Sequence, residues 1–437
     1  MRTKSITSIC TVLAITILAA TGLGQGPKFP KPRQERLLND LNLLIWRVPD
    51  TKEVTVNLRV HSGAAFDPLD KEGVAILLSQ VMFPDTGLFE DFEEDLGGSL
   101  SVEVTLDYIQ IEMKAKSDKL VEVLEILAGA TITPDIDKDA AAEAKKARIE
   151  KLSLDAEDPA SIADSEIAER LYGSFPYGRN PNGTVESVAG IDFADIVFAK
   201  QRFLTADNAT LSISGDVSTS FAYRAARRLM GGWKKGNGRV PSNFTLPEAP
   251  DTAPLVVNTD FGSGIEKRLA VEAVSRRDAN FYAARLLSRV LDHRVEKQFG
   301  GKVHYHPHLL RGYFVMSRSI STDKNAPPPL AEAEAEAESA NDLKKLLKTP
   351  VEVAEFEAAK AAEVALFMST GIIHHWFDID TYRLKSVDDE YQKLQKVKLA
   401  DLNTLAETLS TRPVADVNVM PLDAPAPAMD GDPDDPR

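Results

Sequence analysis

One order of strands and helices occurs twice along this chain, on either side of a segment rich in Gly, Lys, Asn and Pro at residues 231–250. Before that segment, apolar and polar residues alternate as in β-strands at residues 41–65, 99–113 and 208–217. After it, strand patterns return at residues 255–274 and 303–319, again separated by helical stretches. The repeat predicts an α+β fold with two homologous tandem domains, each an antiparallel or mixed sheet packed with helices.

The boundaries of the predicted domains follow from changes in composition. Residues 35–232 form the N-terminal domain, residues 233–250 the linker and residues 251–415 the C-terminal domain. A tail over residues 421–437 is rich in Pro and Asp, a composition that buries too little apolar surface to fold and predicts disorder. The run AEAEAEAESA at residues 331–340 is predicted to be a solvated helix.

Residues 1–24 have the pattern of a secretory signal peptide. Arg2 and Lys4 precede an apolar run that ends in small residues before the sequence becomes polar. The run is shorter than the roughly 20 residues of a membrane-spanning helix, so we expect a secreted or periplasmic protein without a membrane span. Cys10, the only cysteine, lies in this segment, so the mature chain is expected to have neither a disulfide nor thiolate chemistry.

The charge of the chain argues against a nucleic-acid partner. The formal net charge is -15, whereas sequence-independent binding to DNA or RNA needs a basic surface that displaces counterions. The sequence also contains neither a nucleophile-elbow motif nor a Walker motif, so serine-hydrolase and P-loop chemistry lack their usual signatures.

Two segments of the first predicted domain carry a family resemblance. The sequence HSGAAFDPLDKEGVAILLSQVMF at residues 61–83 combines a strand that ends in Gly, an Asp, a Lys-x-Gly turn and an apolar helix. Residues 175–217 contain Pro-Tyr-Gly, Gly-Thr, Glu-Ser and Asn-Ala-Thr before a Gly-Asp turn, in that order. These segments resemble the insulinase/pitrilysin (inverzincin) metallopeptidase family. The resemblance extends over about residues 35–415 and implies the duplicated LuxS/metallohydrolase-like fold of that family.

The resemblance also shows what this chain has lost. In active members the apolar helix carries H-x-x-E-H, in which two histidines hold zinc and the glutamate is the general base. The matching positions are Ile76, Ser79 and Gln80. Isoleucine has no lone pair, an amide is a poor zinc ligand, and serine does not take a proton from metal-bound water near neutral pH. We therefore expect no catalytic residues, no zinc cofactor and no proteolysis by this chain alone.

One family ligand position keeps an acidic residue. The third zinc ligand of active members is a glutamate in a later helix, and the order of residues places Glu150 there. One carboxylate does not hold a catalytic zinc ion. The alternative interpretation is that Glu150 is one more charge on an Ala, Lys and Glu helix.

The second domain resembles the family segment whose arginine and tyrosine grip the substrate backbone. Within residues 286–317, Arg294 and Tyr305 fall closest to those positions, with Arg289 as the alternative arginine. The resemblance therefore implies that Arg294 and Tyr305 bind substrate. A salt-bridged surface arginine and a half-buried strand tyrosine are the alternative interpretation.

Three alternating histidines follow in the same segment. On a strand, His304, His306 and His308 would present their imidazoles on one face, which is compatible with a secondary metal site. Pro307 argues against a central strand here, and the local sequence offers no carboxylate beside the histidines.

Three functions are compatible with these observations. The leading hypothesis is a non-catalytic homologue that binds unfolded peptide, pairs with an active zinc peptidase of the same family, or does both. In some members of this family one chain supplies zinc and another holds the substrate. The peptide would add as a strand to the sheet edge near residues 99–105. The alternatives are a metalloendopeptidase with unorthodox ligands, such as Glu150 with the histidines at 304–308, and a structural or chaperone-like assembly protein.

Overall fold

The computed structural model describes residues 27–84, 88–134, 136–242, 244–245, 247–262, 264–321 and 340–422. Three predictions lie outside or almost outside these residues: the signal peptide over 1–24, most of the helix over 331–340 and most of the tail over 421–437.

The described residues of the first domain form six strands and eight α-helices. In chain order these are β1 (Arg33–Arg36), β2 (Asn42–Arg47), β3 (Glu53–Val60), α1 (Val74–Met82), α2 (Leu88–Leu96), β4 (Ser99–Val104), β5 (Ile109–Lys116), α3 (Leu120–Ile132), α4 (Lys138–Asp155), α5 (Pro159–Tyr172), α6 (Val185–Gly190), α7 (Phe193–Phe203), β6 (Ala209–Gly215) and α8 (Thr219–Met230).

The described residues of the second domain form five strands and six α-helices. In chain order these are β7 (Leu255–Thr259), β8 (Gly264–Ala273), α9 (Phe281–Phe299), β9 (Lys302–Pro307), β10 (Gly312–Ser321), α10 (Ala340–Lys348), α11 (Val353–Ser369), α12 (Ile372–Thr381), α13 (Val387–Lys396), α14 (Leu399–Ser410) and β11 (Val414–Pro421).

The two sheets have the same topology. The first has the strand order β1-β2-β6-β3-β5-β4 and the second β7-β11-β8-β10-β9. Apart from the additional β1, each strand of the first sheet has a counterpart at the same place in the second. The pairs β2–β6 and β7–β11 are parallel and all other neighbours are antiparallel. The predicted α+β fold of two homologous tandem domains is confirmed.

The sequence patterns explain where each core lies. In β3 the apolar positions 54, 56, 58 and 60 are almost completely buried, because β3 has neighbours on both sides and helices cover the face to which those residues point. Helix α1 buries Leu77 and Leu78 in the same core. A second cluster forms around α9 and the sheet of the second domain.

The segment predicted as a linker packs on the first domain. Trp233 is buried and its indole N–H donates to the carbonyl of Leu204 at 3.0 Å, while Phe244 lies against Phe175. At the other end of the second domain, β11 continues to Pro421. That domain therefore extends beyond the predicted boundary at residue 415.

Each domain places one helix on the sheet of the other. Helix α5 contacts β8 and β11, and the hydroxyl of Tyr172 on α5 donates to the carbonyl of Gly312 at 2.7 Å. Helix α12 in turn contacts β6 of the first sheet. Each of the two comes directly after a helix of 17 or 18 residues, α11 or α4. The packing of one helix on the sheet of the other domain is therefore part of the duplicated arrangement.

Candidate functional site

The position of α1 is set by the turn that precedes it. Gly73 has a φ of 99°, in the left-handed region that favours glycine, and a Cβ there would lie 2.9 Å from the Val188 side chain. The buried carboxylate of Asp67 accepts from the backbone N–H groups of Gly73 (2.9 Å) and Ala75 (3.1 Å). Burial raises the pKa of Asp67 to about 7, although those two hydrogen bonds oppose the shift. The Asp and Gly of the sequence signature therefore anchor the start of α1.

One face of α1 presents the three positions that match the lost zinc motif. Ile76, Ser79 and Gln80 all line one cavity. The Ser79 hydroxyl donates to the carbonyl of Ile76 at 2.7 Å and is thereby satisfied within the helix. The Gln80 side-chain oxygen is buried and accepts no hydrogen bond from the described residues. The face thus presents a hydrocarbon, an engaged hydroxyl and an amide whose oxygen is buried.

The cavity lies between α1, β4 and α4 and has a volume of about 520 Å³. Its walls are mostly apolar. The residues that line it are Ile76, Ser79, Gln80, Val81, Phe83, Pro84, Val102, Val104, Ala140, Glu143, Ala144 and Ala147. An apolar cavity of this size accepts a hydrocarbon or aromatic side chain, which loses water contact on entering it.

The carboxylate at this cavity comes from Glu143. Glu150, the residue predicted for the ligand position, lies farther along the same helix and does not line the cavity. Its side chain is 68% exposed and pairs with Lys146 at 4.0 Å. The geometry therefore favours the alternative interpretation of Glu150 as a surface charge, and it identifies Glu143 as a site residue that the sequence reasoning missed.

The donor groups around the cavity do not fit a catalytic zinc ion. Such an ion needs three nitrogen, sulfur or oxygen ligands from the protein. Among the lining side chains, Glu143 alone provides an anionic donor. Across the described residues, no three His, Cys, Asp or Glu side chains group closely enough to hold a metal ion. No hydrolytic step through zinc can be derived from this geometry.

Arg294 has a structural position in the second domain. Its Nε and Nη2 donate to the two carboxylate oxygens of Glu355 at 2.8 and 2.6 Å. The remaining N–H groups donate to the carbonyls of Leu346, Thr349 and Pro350 at 3.4, 3.0 and 2.8 Å. All five N–H groups of the guanidinium are therefore used within the domain. The geometry favours the structural interpretation and leaves Arg294 no free donor for a substrate.

Tyr305 and Arg289 are also engaged internally. The Tyr305 side chain is buried, its hydroxyl donates to the carbonyl of Val274 at 2.8 Å, and its ring stacks on Phe314. Arg289 donates to the carboxylate of Glu363 at 2.8 Å. The substrate contact predicted for Arg294 and Tyr305 thus finds no support in the described residues.

The three histidines do not form a metal site in the described chain. His304 and His306 are neighbours, with ring centroids 6.3 Å apart, but His306 stacks on Tyr313 at 4.7 Å. His308 lies 3.7 Å from a carboxylate oxygen of Asp107, a partner that is distant in sequence. Strand β9 is an edge strand, which explains how it accommodates Pro307.

A buried polar cluster joins the two domains on the other face of the first sheet. The Arg59 side chain on β3 is 2% exposed, donates to the Gln110 side chain at 2.9 Å and contacts Asp378 of α12 at 3.0 Å. The guanidinium lies 4.0 Å from the ring centroid of Tyr108 and 4.9 Å from that of Phe377. A charge buried in this way needs its partner, so α12 is held on β3.

The same cluster continues at His61, whose ring nitrogens lie 3.1 Å from the Thr381 hydroxyl and 3.0 Å from the Thr210 hydroxyl. Burial lowers the pKa of His61 to about 4, so the imidazole is neutral near pH 7. Burial alone would raise the pKa of Asp380, but contacts with His61, Arg239 and Thr210 hold it well below its usual range. Sequence reasoning missed this cluster, because nothing local marks its members.

Strand β4 forms one edge of the described first sheet. It pairs with β5 and has no strand on its other side among the described residues. Val102 and Val104 point to the cavity, whereas residues 99, 101 and 103 are exposed on the opposite face. A free strand edge therefore runs directly along the apolar cavity.

Two tandem α+β domains, with an apolar helix and a free strand edge beside one cavity, define the class of inverzincin-type peptidase folds. Residues 44–181 match the model of insulinase (peptidase family M16), and residues 191–363 match the model of the peptidase M16 inactive domain. The chain belongs to the insulinase family.

Individual relatives are distant in sequence. An uncharacterized zinc protease of Rickettsia felis is 23% identical over 226 residues, which are 48% of this chain and 51% of that protein. The chain spans about half the length of the curated relatives that it matches.

Solved structures show the same fold. A protease from Helicobacter pylori has a TM-score of 0.80 at 18% identity and covers 90% of this chain and 100% of its own. A peptidase M16 inactive domain from Pseudomonas fluorescens has a TM-score of 0.77 at 18% identity, covering 91% and 100%. Within the described residues, every helix is too short or too polar to cross a bilayer.

Proposed function

We propose that this protein is a non-catalytic member of the insulinase family that binds unfolded, extended peptide along β4. The observation that carries the proposal is the chemistry of the 520 Å³ cavity, where Ile76, Ser79 and Gln80 occupy the face that holds zinc in active members. The side chains there suit an apolar group and not a metal ion. The leader-like sequence at residues 1–24 supports secretion or a periplasmic location.

A peptide can bind along the edge of β4 without a metal ion. A peptide added as the next strand gains main-chain hydrogen bonds, and every second side chain of it points to the same face as Val102 and Val104. Affinity would then come from the strand edge and selectivity for apolar side chains from the cavity.

We expect a charge placed in the cavity to weaken peptide binding at least tenfold. In Val102→Glu a carboxylate points into an apolar cavity that already has Glu143, so a bound peptide must bury or displace it. Ser101→Glu adds the same charge one residue away on the exposed face and is the matched control. Fluorescence anisotropy with a labelled unfolded peptide rich in Leu and Phe measures the affinity. Equal weakening in both variants would contradict the proposed site.

A second part of the proposal is a partner: a zinc-bearing relative of the same family in the same cell. We expect that this chain alone leaves unfolded peptides intact, and that its addition raises the kcat/KM of the relative, because a bound peptide is presented along β4. Peptide cleavage is followed by chromatography with each protein alone and with the two mixed. The Val102→Glu variant should give a smaller gain than Ser101→Glu. No gain on mixing would exclude the partner role and leave the peptide-binding proposal in place.

A further inference from the structure

Positive charge is concentrated in two segments of the first domain. Residues 217–247 contain neither Asp nor Glu and carry six Arg or Lys residues, and residues 28–36 carry four more together with one Glu. The net charge of the whole chain is -15, so these segments have the opposite sign to the rest of the protein. A local excess of one sign produces a potential that attracts partners of the other sign.

Contacts between β1 and α8 bring the two segments onto one surface. The ring of Tyr223 on α8 contacts two guanidinium groups, that of Arg33 at 5.3 Å and that of Arg227 at 5.9 Å from the ring centroid. In the turn after β1, the Asn39 side chain donates to the carbonyl of Met230 at 2.8 Å. The strand and its turn therefore run along most of α8.

Cations exceed carboxylates on this surface, which we call the basic edge. The side chains that define it are the exposed cations Lys31, Arg33, Arg36, Arg224, Arg227, Arg228, Lys234 and Lys235. Among the described residues, the carboxylates that pair with them are those of Glu35, Asp40 and Glu125. Three anions do not balance eight cations, so the basic edge keeps a net positive charge.

Two apolar side chains project from the basic edge. Leu38, in the turn after β1, is fully exposed, although its neighbour Leu37 is buried. The Asp40 N–H donates to the carbonyl of Leu37 at 2.9 Å and closes this turn with Leu38 on the outside. Phe221 is 41% exposed and precedes Arg224 by three residues on α8, so the two share one face of the helix. The surface thus combines cations with exposed hydrocarbon.

We infer that the basic edge binds the surface of a lipid bilayer that contains anionic phospholipids, with the cations at the headgroups and Leu38 and Phe221 in the interface. Lys and Arg close to an anionic bilayer gain electrostatic attraction. An apolar side chain gains further by entering the boundary between headgroups and acyl chains. A soluble polyanion would engage the cations but leave Leu38 in water, so the exposed leucine favours lipid as the partner.

The opposite edge of the first sheet carries the opposite charge. Helix α2, which contacts β4, exposes Glu90, Glu93, Glu94 and Asp95, and β4 itself exposes Glu103. An anionic bilayer repels these carboxylates, so the charge distribution favours one orientation of the protein on the lipid. Because β1 and β4 are the two outermost strands of the described sheet, β4 then faces away from the bilayer.

The first test measures binding to vesicles. The protein, purified after export with the N-terminus that the cell leaves, is sedimented with vesicles of phosphatidylcholine alone or of equal parts phosphatidylcholine and phosphatidylglycerol. We expect binding to the anionic vesicles only, and release by high salt, because salt screens exposed charges.

The variant for this test combines Lys31→Gln, Arg224→Gln and Lys234→Gln. These side chains are exposed and form no ion pair within the described part of the chain, so the fold should be retained. Each cation close to an anionic bilayer contributes about fivefold to the affinity, so we expect a loss of about thirtyfold or more.

The matched control combines Lys297→Gln, Lys348→Gln and Lys396→Gln, three exposed lysines of the second domain. It changes the net charge by the same amount and should bind anionic vesicles within about threefold of the parent. Peptide binding along β4 should be unchanged in both triple variants, because β4 lies at the other edge of the sheet. This readout separates the inference from the proposed function.

The second test determines whether residue 38 enters the lipid. In Leu38→Trp, addition of anionic vesicles should shift the added tryptophan emission to the blue, and brominated acyl chains should quench it. Leu154→Trp places the same probe at an exposed position of α4, outside the basic edge, and should show neither effect. Leu38→Gln should weaken vesicle binding about tenfold, because a leucine no longer leaves water on binding.

Three results would overturn the inference. The first is a parent protein that shows no preference for anionic vesicles, and the second is equal vesicle affinity of the two triple variants. The third is an unchanged spectrum of Leu38→Trp on vesicles together with tight binding of soluble polyglutamate, which would identify the basic edge as a site for acidic polypeptides.

Discussion

Restoring the motif with Ile76→His, Ser79→Glu and Gln80→His is expected to raise the affinity of the protein for zinc by about a thousandfold or more, because three converging ligands replace one. Residues 76 and 80 line the same cavity, so both imidazoles would point into it, and Glu143 on α4 would complete the set. Zinc competition with a chromogenic chelator measures the affinity. The unsubstituted protein should lose zinc to the chelator completely.

Two further variants identify the third ligand. In the restored background, Glu143→Gln should lower zinc affinity at least tenfold, while Glu150→Gln should leave it unchanged, because Glu150 is exposed and lies two helical turns beyond Glu143, outside the cavity. The reverse result would return the ligand role to Glu150. Stoichiometric zinc held at residues 76–80 of the unsubstituted chain would overturn the account of this cavity altogether.

Removal of one carboxylate between the domains should destabilise the protein by about 3 kcal/mol. Asp378 contacts Arg59 at 3.0 Å and Arg276 at 3.7 Å, and both arginines are almost completely buried. In Asp378→Ala these two guanidinium groups lose that partner, and breaking a buried ion pair costs about 3–5 kcal/mol. We expect the lower end because a third of the Asp378 side chain is exposed. Equilibrium denaturation with urea measures the change.

The control for this variant is Asp260→Ala, which removes an exposed carboxylate from the second domain and should change stability by less than about 0.5 kcal/mol. Asp378→Glu should recover part of the loss, since it keeps the charge. An effect of Asp378→Ala as small as that of the control would show that Arg59 is not held by this contact.

The fold could be predicted because its signals are local and occur twice. Alternation in β3 and the apolar stretch of α1 depend only on neighbouring residues, and the same order of elements returned after residue 250. One strand was wrong in detail. The alternation at residues 99–113 continues through a turn, in which Thr105 and Tyr108 hydrogen-bond to each other, so the segment is the hairpin of β4 and β5. Thr105 and Asp107 are compatible both with a turn and with the alternating pattern of a strand, so the pattern alone did not reveal the turn.

The candidate site could be predicted from the sequence only where its residues lie close together along the chain. The loss of the zinc motif depends on three residues of one helix. Glu143 and Glu150 lie two turns apart on nearly the same face of α4, so the choice between them depends on how far along the helix the cavity extends. Helix α4 is rich in Ala, Lys and Glu and buries only Ala141, Arg148 and Leu152, so the sequence does not indicate which of its turns lies against the cavity. The contact between Arg59 and Asp378 joins residues 319 positions apart and has no local signal at all.

The exchange of α5 and α12 has a consequence for the order in which the chain can be completed during synthesis. When the ribosome has released the first domain, the helix that covers Arg59 has not yet been made, because α12 comes near the end of the second domain. Until then Arg59 lacks its carboxylate partner, and the face of the first sheet that α12 covers stays exposed to water. Despite its two hydrophobic cores, the protein therefore reaches its native interior only after nearly the whole chain has emerged.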